Sequence, residues 1–250
     1  MDFQGYRVLV TGGSRGIGAA VCRAFAEQGA RVAVHSSGRS GPAELAALPG
    51  GPHVAVQGDV ADPDAVQALV AEAVEALGGL DVLVNNAGVF DQLDPRTATY
   101  EQWQEHWRRT VEVDLLGAAW ASHCALPALV ASGRGRIVNV GSRGASRGEP
   151  RAVAYGAAKA GLTAMGQSLA LAYAQDGVAV GSVLPGFVET DMATAVLDGP
   201  DGDAVRAQSP AGRVGQPEEV AAAVLFLAGP GAFWSTGAVL DVNGASYLRS

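Results

Sequence analysis

The chain has 250 residues, 48% hydrophobic and 17% charged, with a formal net charge of -8, a composition that excludes a disordered protein and allows a substantial core. The acidic balance argues against nucleic acid or an anionic membrane as a partner. Cys22 and Cys124 stand far apart in apolar surroundings and the four histidines show no ligand spacing, so reduced, buried thiols are expected, with neither a disulfide nor a metal.

The opening MDFQGYRVLVTGG has no basic block followed by a long apolar one; no signal peptide and a soluble, cytoplasmic protein are the expectation. A first strand is expected at YRVLVT (6–11), then a helix from about Gly16. RVAVH makes a second strand followed by a polar turn, and HVAVQ (53–57) a third, followed by the helix DPDAVQALVAEAVEAL. LDVLVN (80–85) leads into a long helical stretch ending near Ser132. RIVNV (136–140), a helix carrying Tyr155, and VAVGSVL (178–184) come next, and a helix at 217–228 precedes AVLDV.

Continuous Val/Leu/Ile strands separated by helices indicate an α/β chain with a parallel sheet covered on both faces. Right-handed crossovers make it a Rossmann-type doubly wound sheet of about seven strands. No linker or repeat divides the sequence, so residues 1–250 read as one domain. The segment 187–212, containing DGPDGD, reads as irregular and as a substrate lid. The apolar run VAAAVLFLAG (220–229) is about half of the ~20 residues a membrane-spanning helix needs.

TGGSRGIG (11–18) follows the first strand and opens a helix. Gly12, Gly16 and Gly18, with Ser14, Arg15 and Ile17 between them, let the backbone approach a pyrophosphate at a helix N-terminus; a turn without a ligand is the plain alternative. Asp59, beside Val60, ends the third strand where it can hydrogen-bond an adenine edge, and NNAG (85–88) ends the fourth at the carboxyl edge where such sheets bind ligands. An acid usually holds the ribose 2'-hydroxyl of NAD at the end of the second strand. Ser36 stands there instead, with Arg15 and Arg39 available for a 2'-phosphate. NADP(H) is therefore expected in preference to NAD(H), unless both arginines are merely solvated.

Of 17 basic residues only Lys159 is a lysine. It follows Tyr155 by four residues, one turn along the same helix face. A phenol titrates near pH 10, and an ammonium beside it favours the phenolate, so the pair can protonate a carbonyl oxygen or take that proton back. Ser142, at the end of RIVNVGS, can hold the same oxygen. The spacing alone also fits a tyrosine that simply packs.

Taken together, TGGSRGIG, NNAG, Ser142, YGAAK, PGFVETDM, GQPEEVAAAVLFLA and GAVLDVNG resemble a short-chain dehydrogenase/reductase of the compact, single-domain type, and among these the 3-oxoacyl-carrier-protein reductases. The resemblance implies that Ser142 orients a carbonyl, Tyr155 is the acid/base, and Lys159 lowers its pKa while holding the nicotinamide ribose. It also implies that Asn86, Gly88, Pro185, Gly186, Val188 and Thr190 line the cofactor, that a lid begins at 191, and that the chain forms a homotetramer through faces such as AAWASHCALPAL.

Two departures stand out. Where the family has an asparagine in V-N-L-x-G, this chain has Asp114 in VDLLG. Its charge would oppose phenolate formation, predicting a slowed enzyme with an alkaline optimum for oxidation, unless Asp114 is protonated or solvated. The helix after Tyr155 reads SLALAYA, without the basic residue that would meet an acidic carrier protein. Arg143, Arg147 and Arg151 are expected in a solvated loop, the alternative being an anionic ligand. Trp103, Trp107 and Trp120 are expected in a core or subunit interface. The leading expectation is an NADP-dependent oxidoreductase interconverting a ketone and a secondary alcohol on a small-molecule substrate. The competing ones are a fatty-acid or polyketide ketoreductase acting on a carrier-bound chain, and a silent nucleotide-binding protein.

Overall fold

A computed structural model describes residues 2–38 and 47–249. Seven strands, β1 (Arg7–Val10), β2 (Arg31–Ser36), β3 (Val54–Gln57), β4 (Val82–Asn85), β5 (Arg136–Val140), β6 (Ala179–Pro185) and β7 (Val239–Val242), form one sheet in the order β3-β2-β1-β4-β5-β6-β7. Every pairing is parallel. The expected α/β class and strand count are those observed.

Alternation along the strands decides how the two faces are covered. Val8 and Val10 of β1 join Val32, Val34, Val82 and Val84 in one core with Val21, Cys22 and Phe25 of α1 (Gly16–Glu27) and Val220 and Val224 of α8 (Pro217–Ala228). Leu9 points the other way, into a second core with Leu83, Ile137, Leu69 of α2 (Pro63–Leu77) and Ala125 and Leu129 of α4 (Gly117–Ala131). Buried strands must be apolar on both sides, which is why their sequences run continuously Val/Leu-rich.

Local signals set the helix ends. Asp62 caps α2 by accepting from the Asp64 N–H at 2.9 Å, with Pro63 at the first position. Thr99 and Gln102 form a reciprocal capping box for α3 (Tyr100–Val111). Between α3 and α4 a π-helical turn, Glu112–Leu116, widens the backbone and carries Asp114. The stretch Tyr100–Ala131 is long and apolar enough to cross a bilayer by length and composition. Here it packs its Ala121, Ala125 and Leu129 face into the second core.

The segment 187–212 departs from its irregular reading. It folds α6 (Asp191–Leu197) and α7 (Gly202–Arg206) around a small core of Ala193, Leu197, Val205 and Val214 with Phe187 against it. Cys22 is buried, Cys124 half-buried, and neither forms a disulfide. Trp103 and Trp107 stack obliquely with ring centroids 5.9 Å apart, and Trp120 packs against the second core.

Candidate active site

The strand order reverses between β1 and β4, and in open α/β sheets a ligand crevice opens at the carboxyl ends of such a pair. The loop after β1 enters it. Gly12 has φ +62°, and a Cβ there would lie 2.9 Å from the Ala87 Cα, so a side chain would push the two loops apart. Asn86 closes this contact by donating from Nδ2 to the carbonyls of Thr11 (3.0 Å) and Gly12 (2.9 Å). Thr11 Oγ1 accepts from the Asn86 and Ala87 N–H groups at 3.0 and 3.1 Å.

The remaining loop residues flank this cradle. Ser14 is buried, Arg15 is exposed and precedes α1 in extended conformation, and Ile17 packs against the first core. Gly16 opens α1 against the Thr190 methyl, and Gly18 is buried behind it. Ser36 is buried at the end of β2; Arg39, expected beside it, lies outside the described residues. Asp59 is exposed and accepts from the Ala61 N–H at 3.0 Å, and Val60 beneath it is buried.

Sequence reading passed over His35. Its Nδ1 accepts from the Gly12 N–H at 3.0 Å and its Nε2 lies 2.9 Å from the Gly58 carbonyl. Only the neutral tautomer protonated on Nε2 satisfies both contacts. Burial pushes its pKa down, against the pull of Gly58 and Asp59. The signal available was its position, one strand away from the glycine loop.

The second half of the site gathers over β4 to β6. Tyr155 and Lys159 lie on α5 (Val153–Tyr173), and the Lys159 Nζ stands 5.5 Å from the Tyr155 ring centroid. Nζ donates to the Val140 carbonyl at 3.3 Å and pairs with Asp114 Oδ1 at 3.0 Å. The other carboxylate oxygen of Asp114 accepts from the Val89 N–H at 3.2 Å. Both charged side chains are buried. A Cβ at Gly88 would come within 2.7 Å of Asp114 Oδ1, so glycine is what lets the NNAG loop lie over the ion pair. Ser142 lies near enough to the Tyr155 hydroxyl to pull its pKa down and accepts from the Gly144 N–H at 3.1 Å. Phe90 meets the Tyr155 ring edge-on at 5.0 Å.

Burial pushes the Asp114 pKa up, against Lys159 and the Val89 N–H, which pull it down. Burial pulls Lys159 down, but Asp114 and Tyr155 outweigh it and hold the ammonium charged. Tyr155 ends above its ordinary value: burial raises it first, Lys159 lowers it, Asp114 raises it and Ser142 lowers it.

Pro185 ends β6, and the Gly186 N–H donates to Val242 at 3.1 Å. Val188 is buried and forms a lone bridge with Gly215. Thr190 leads into α6 and touches the position a Gly16 Cβ would take, so the segment 187–212 begins against the glycine-rich loop. The expectation of a solvated arginine loop is corrected at Arg143, which is 3% exposed. Its guanidinium is turned inward and donates to residues far along the chain, Gln208 and Ser246. Arg147 is half-buried and Arg151 exposed.

Residues 12–245 match the family described as enoyl-(acyl carrier protein) reductase. The chain is 39% identical over 249 residues to the 3-oxoacyl-[acyl-carrier-protein] reductase of Vibrio cholerae, covering 99% of this chain and all of that one. It is 40% identical to the cis-4-hydroxycyclohexanecarboxylate dehydrogenase of Sinomonas cyclohexanicum, over 94% of each chain. A short-chain dehydrogenase from Burkholderia cenocepacia, solved in complex with NADP, superposes with a TM-score of 0.87 at 36% identity, covering 98% of this chain and 99% of that one.

Proposed function

Because the chain belongs to the short-chain dehydrogenase/reductase family and is an oxidoreductase, we propose that it interconverts a ketone and a secondary alcohol with NADP(H), using Tyr155 as acid and base. The observation that carries this reading is the cluster of half-buried Tyr155 and Ser142 with buried Lys159 at the carboxyl edge of the sheet. The glycine cradle suits a dinucleotide, since backbone N–H groups at the start of α1 and the close approach at Gly12 leave room for a pyrophosphate. Ser36 in place of an acid, and Arg15 without an ion pair among the described residues, suit a 2'-phosphate. When bound, the nicotinamide supplies or accepts the hydride at the substrate carbon.

In the reducing direction the Tyr155 hydroxyl gives its proton to the carbonyl oxygen, which becomes the alcohol. Ser142 holds that oxygen against the phenol. Lys159 favours the phenolate left behind, and the proton is restored from solvent. Asp114 works against this step, because its negative charge near the phenol raises the Tyr155 pKa. An alkaline optimum for alcohol oxidation follows.

A carrier-bound 3-oxoacyl chain is a second reading, supported by the likeness to the Vibrio cholerae enzyme. The far end of the helix that carries Tyr155 speaks for a small substrate instead: Leu171, 86% exposed, stands where a basic residue would meet an acidic carrier. The segment 187–212 would close over the substrate, and the alanine-rich face of α4 would bury itself in a homotetramer, testable by light scattering. Fluorescence titration with NADPH and NADH, followed by turnover of a panel containing an acetoacetyl thioester and cyclic keto acids, tests the assignment. Tighter binding of NADPH and turnover lowered at least about 10²-fold in Tyr155→Phe are expected. NADPH binding no tighter than NADH, or turnover in that variant close to the parent's, would overturn it.

A further inference from the structure

Arg143 directly follows Ser142, yet its side chain is 4% exposed and points away from solvent into a junction of three segments. Its Nη1 donates to Ser246 Oγ at 2.7 Å and its Nη2 to Gln208 Oε1 at 2.6 Å. Its Nε faces Glu149 Oε1 at 3.7 Å, and the guanidinium lies 5.1 Å from the Phe187 ring centroid. Gln208 closes the lid, two residues after α7, and Ser246 lies in the tail beyond β7. All three guanidinium nitrogens are thus turned toward partners within the protein. That makes Arg143 a poor receptor for an anionic substrate and a good joint between chain segments.

A buried arginine is costly unless its donors are satisfied, and here the partners come 65 and 103 residues later in the chain. The same junction carries weaker ties. Arg147 Nη1 donates to Gln208 Oε1 at 3.1 Å, the Tyr247 hydroxyl to the Ser146 carbonyl at 3.0 Å, and Ser209 Oγ to the Gly244 carbonyl at 2.8 Å. Arg143 alone among these bonds both the lid end and the tail while adjoining Ser142. A cavity of about 190 Å³ opens beside it, lined also by Phe187, Val205 and Asn243. The packing around the joint therefore leaves space for the lid end to shift if the hydrogen bonds are lost.

We propose that Arg143 is a positioning residue that binds the Ser142 loop, the end of the lid and the C-terminal tail into one body, so that Ser142 is oriented only when the lid is seated. It acts through Ser142 and touches neither substrate nor cofactor. The catalytic consequence rests on the carbonyl-reductase reading above, whereas the mechanical joint does not.

The test compares the full-length protein with Arg143→Met, which keeps bulk without donors, Arg143→Lys, which offers one compact ammonium, and Gln208→Leu. NADPH affinity, kcat and KM for an acetoacetyl thioester, and amide hydrogen exchange over 142–148, 203–209 and 243–248 are measured. In Arg143→Met, exchange should rise in all three segments together, kcat should fall by about 10²-fold, and NADPH affinity should stay within about twofold. Arg143→Lys should recover only part of kcat, and Gln208→Leu should add little to Arg143→Met. Exchange rising only around residue 143, kcat unchanged, or NADPH affinity lost in step with kcat would overturn the proposal. If the parent protein turns over none of the carbonyl panel, the proposed function falls, and the exchange data alone decide the joint.

Discussion

Asp81 and Asp114 are both buried carboxylates associated with β4, one just before the strand and the other packed on the loop that follows it. Asp81 accepts from the Arg7 N–H, Nε and Nη2 and from Arg134 Nε and Nη2, all between 2.8 and 3.2 Å. Burial raises its pKa, but these donors outweigh burial and hold it below the ordinary carboxylate range. Asp114 has one backbone N–H and one ammonium, and there burial prevails and the pKa is raised. Asp114 lies deeper and has fewer directed donors, and both differences push its pKa the same way. A carboxylate saturated with arginine forks becomes a structural rivet, while an under-supplied one stays electrically coupled to the tyrosine it faces.

The contrast predicts that damage at one end of the sheet costs stability and at the other costs rate. Tyr155→Phe should lower kcat by 10²- to 10⁴-fold, the range for general acid–base catalysis, with an unchanged melting temperature and intact NADPH binding. Asp81→Asn should leave kcat per folded molecule unaltered but cost about 1–3 kcal/mol in urea unfolding, since it weakens charge-assisted bonds to two part-exposed arginines. The pH dependence sharpens this. Because the Asp81 pKa is depressed by folding, its contribution is full above the unfolded value of about 3.9 and disappears as pH falls through the folded value. The acid limb of stability should therefore flatten in Asp81→Asn, and an acid limb identical to the parent's would dismiss the assignment.

Asp114→Asn should have a smaller effect, confined to the pH profile. With the carboxylate charge gone the Tyr155 phenolate is easier to form, so the optimum for alcohol oxidation should move to lower pH, by about one unit or less. An unmoved profile would remove Asp114 from the proton chemistry.

Much of the fold was legible because buried parallel strands leave so little choice of residue. Val8 to Val10, Leu83 and Ile137 must be apolar on both faces, and their runs announce themselves. Residues 191–206 were not, because their helices are only five and seven residues long and sit among DGPDGD-type turn formers. What stabilises them is the contact of Val205 with Ala193 and Leu197, a tertiary effect invisible to local pattern. The tyrosine–lysine pair was readable from helix periodicity, and the nearness of Asp114 from the resemblance. Arg143 was misread because three arginines in nine residues look like surface, whereas its burial is created by Gln208 and Ser246. His35 was missed because its partners are backbone groups, which a sequence does not display.

The link between Asn86 and the Thr11–Gly12 turn also has a bearing on how the protein is made. The first strand leaves the ribosome before its neighbour β4 and the amide that fastens its turn, which come about 75 residues later. At ~5–20 residues per second, synthesis would take roughly 4–15 s to supply them. Through that interval β2 and His35 can pair with the first strand and its turn, but the amide that fastens the turn from the other side is absent. The nascent chain must keep one edge of an apolar strand unpaired until β4 is translated.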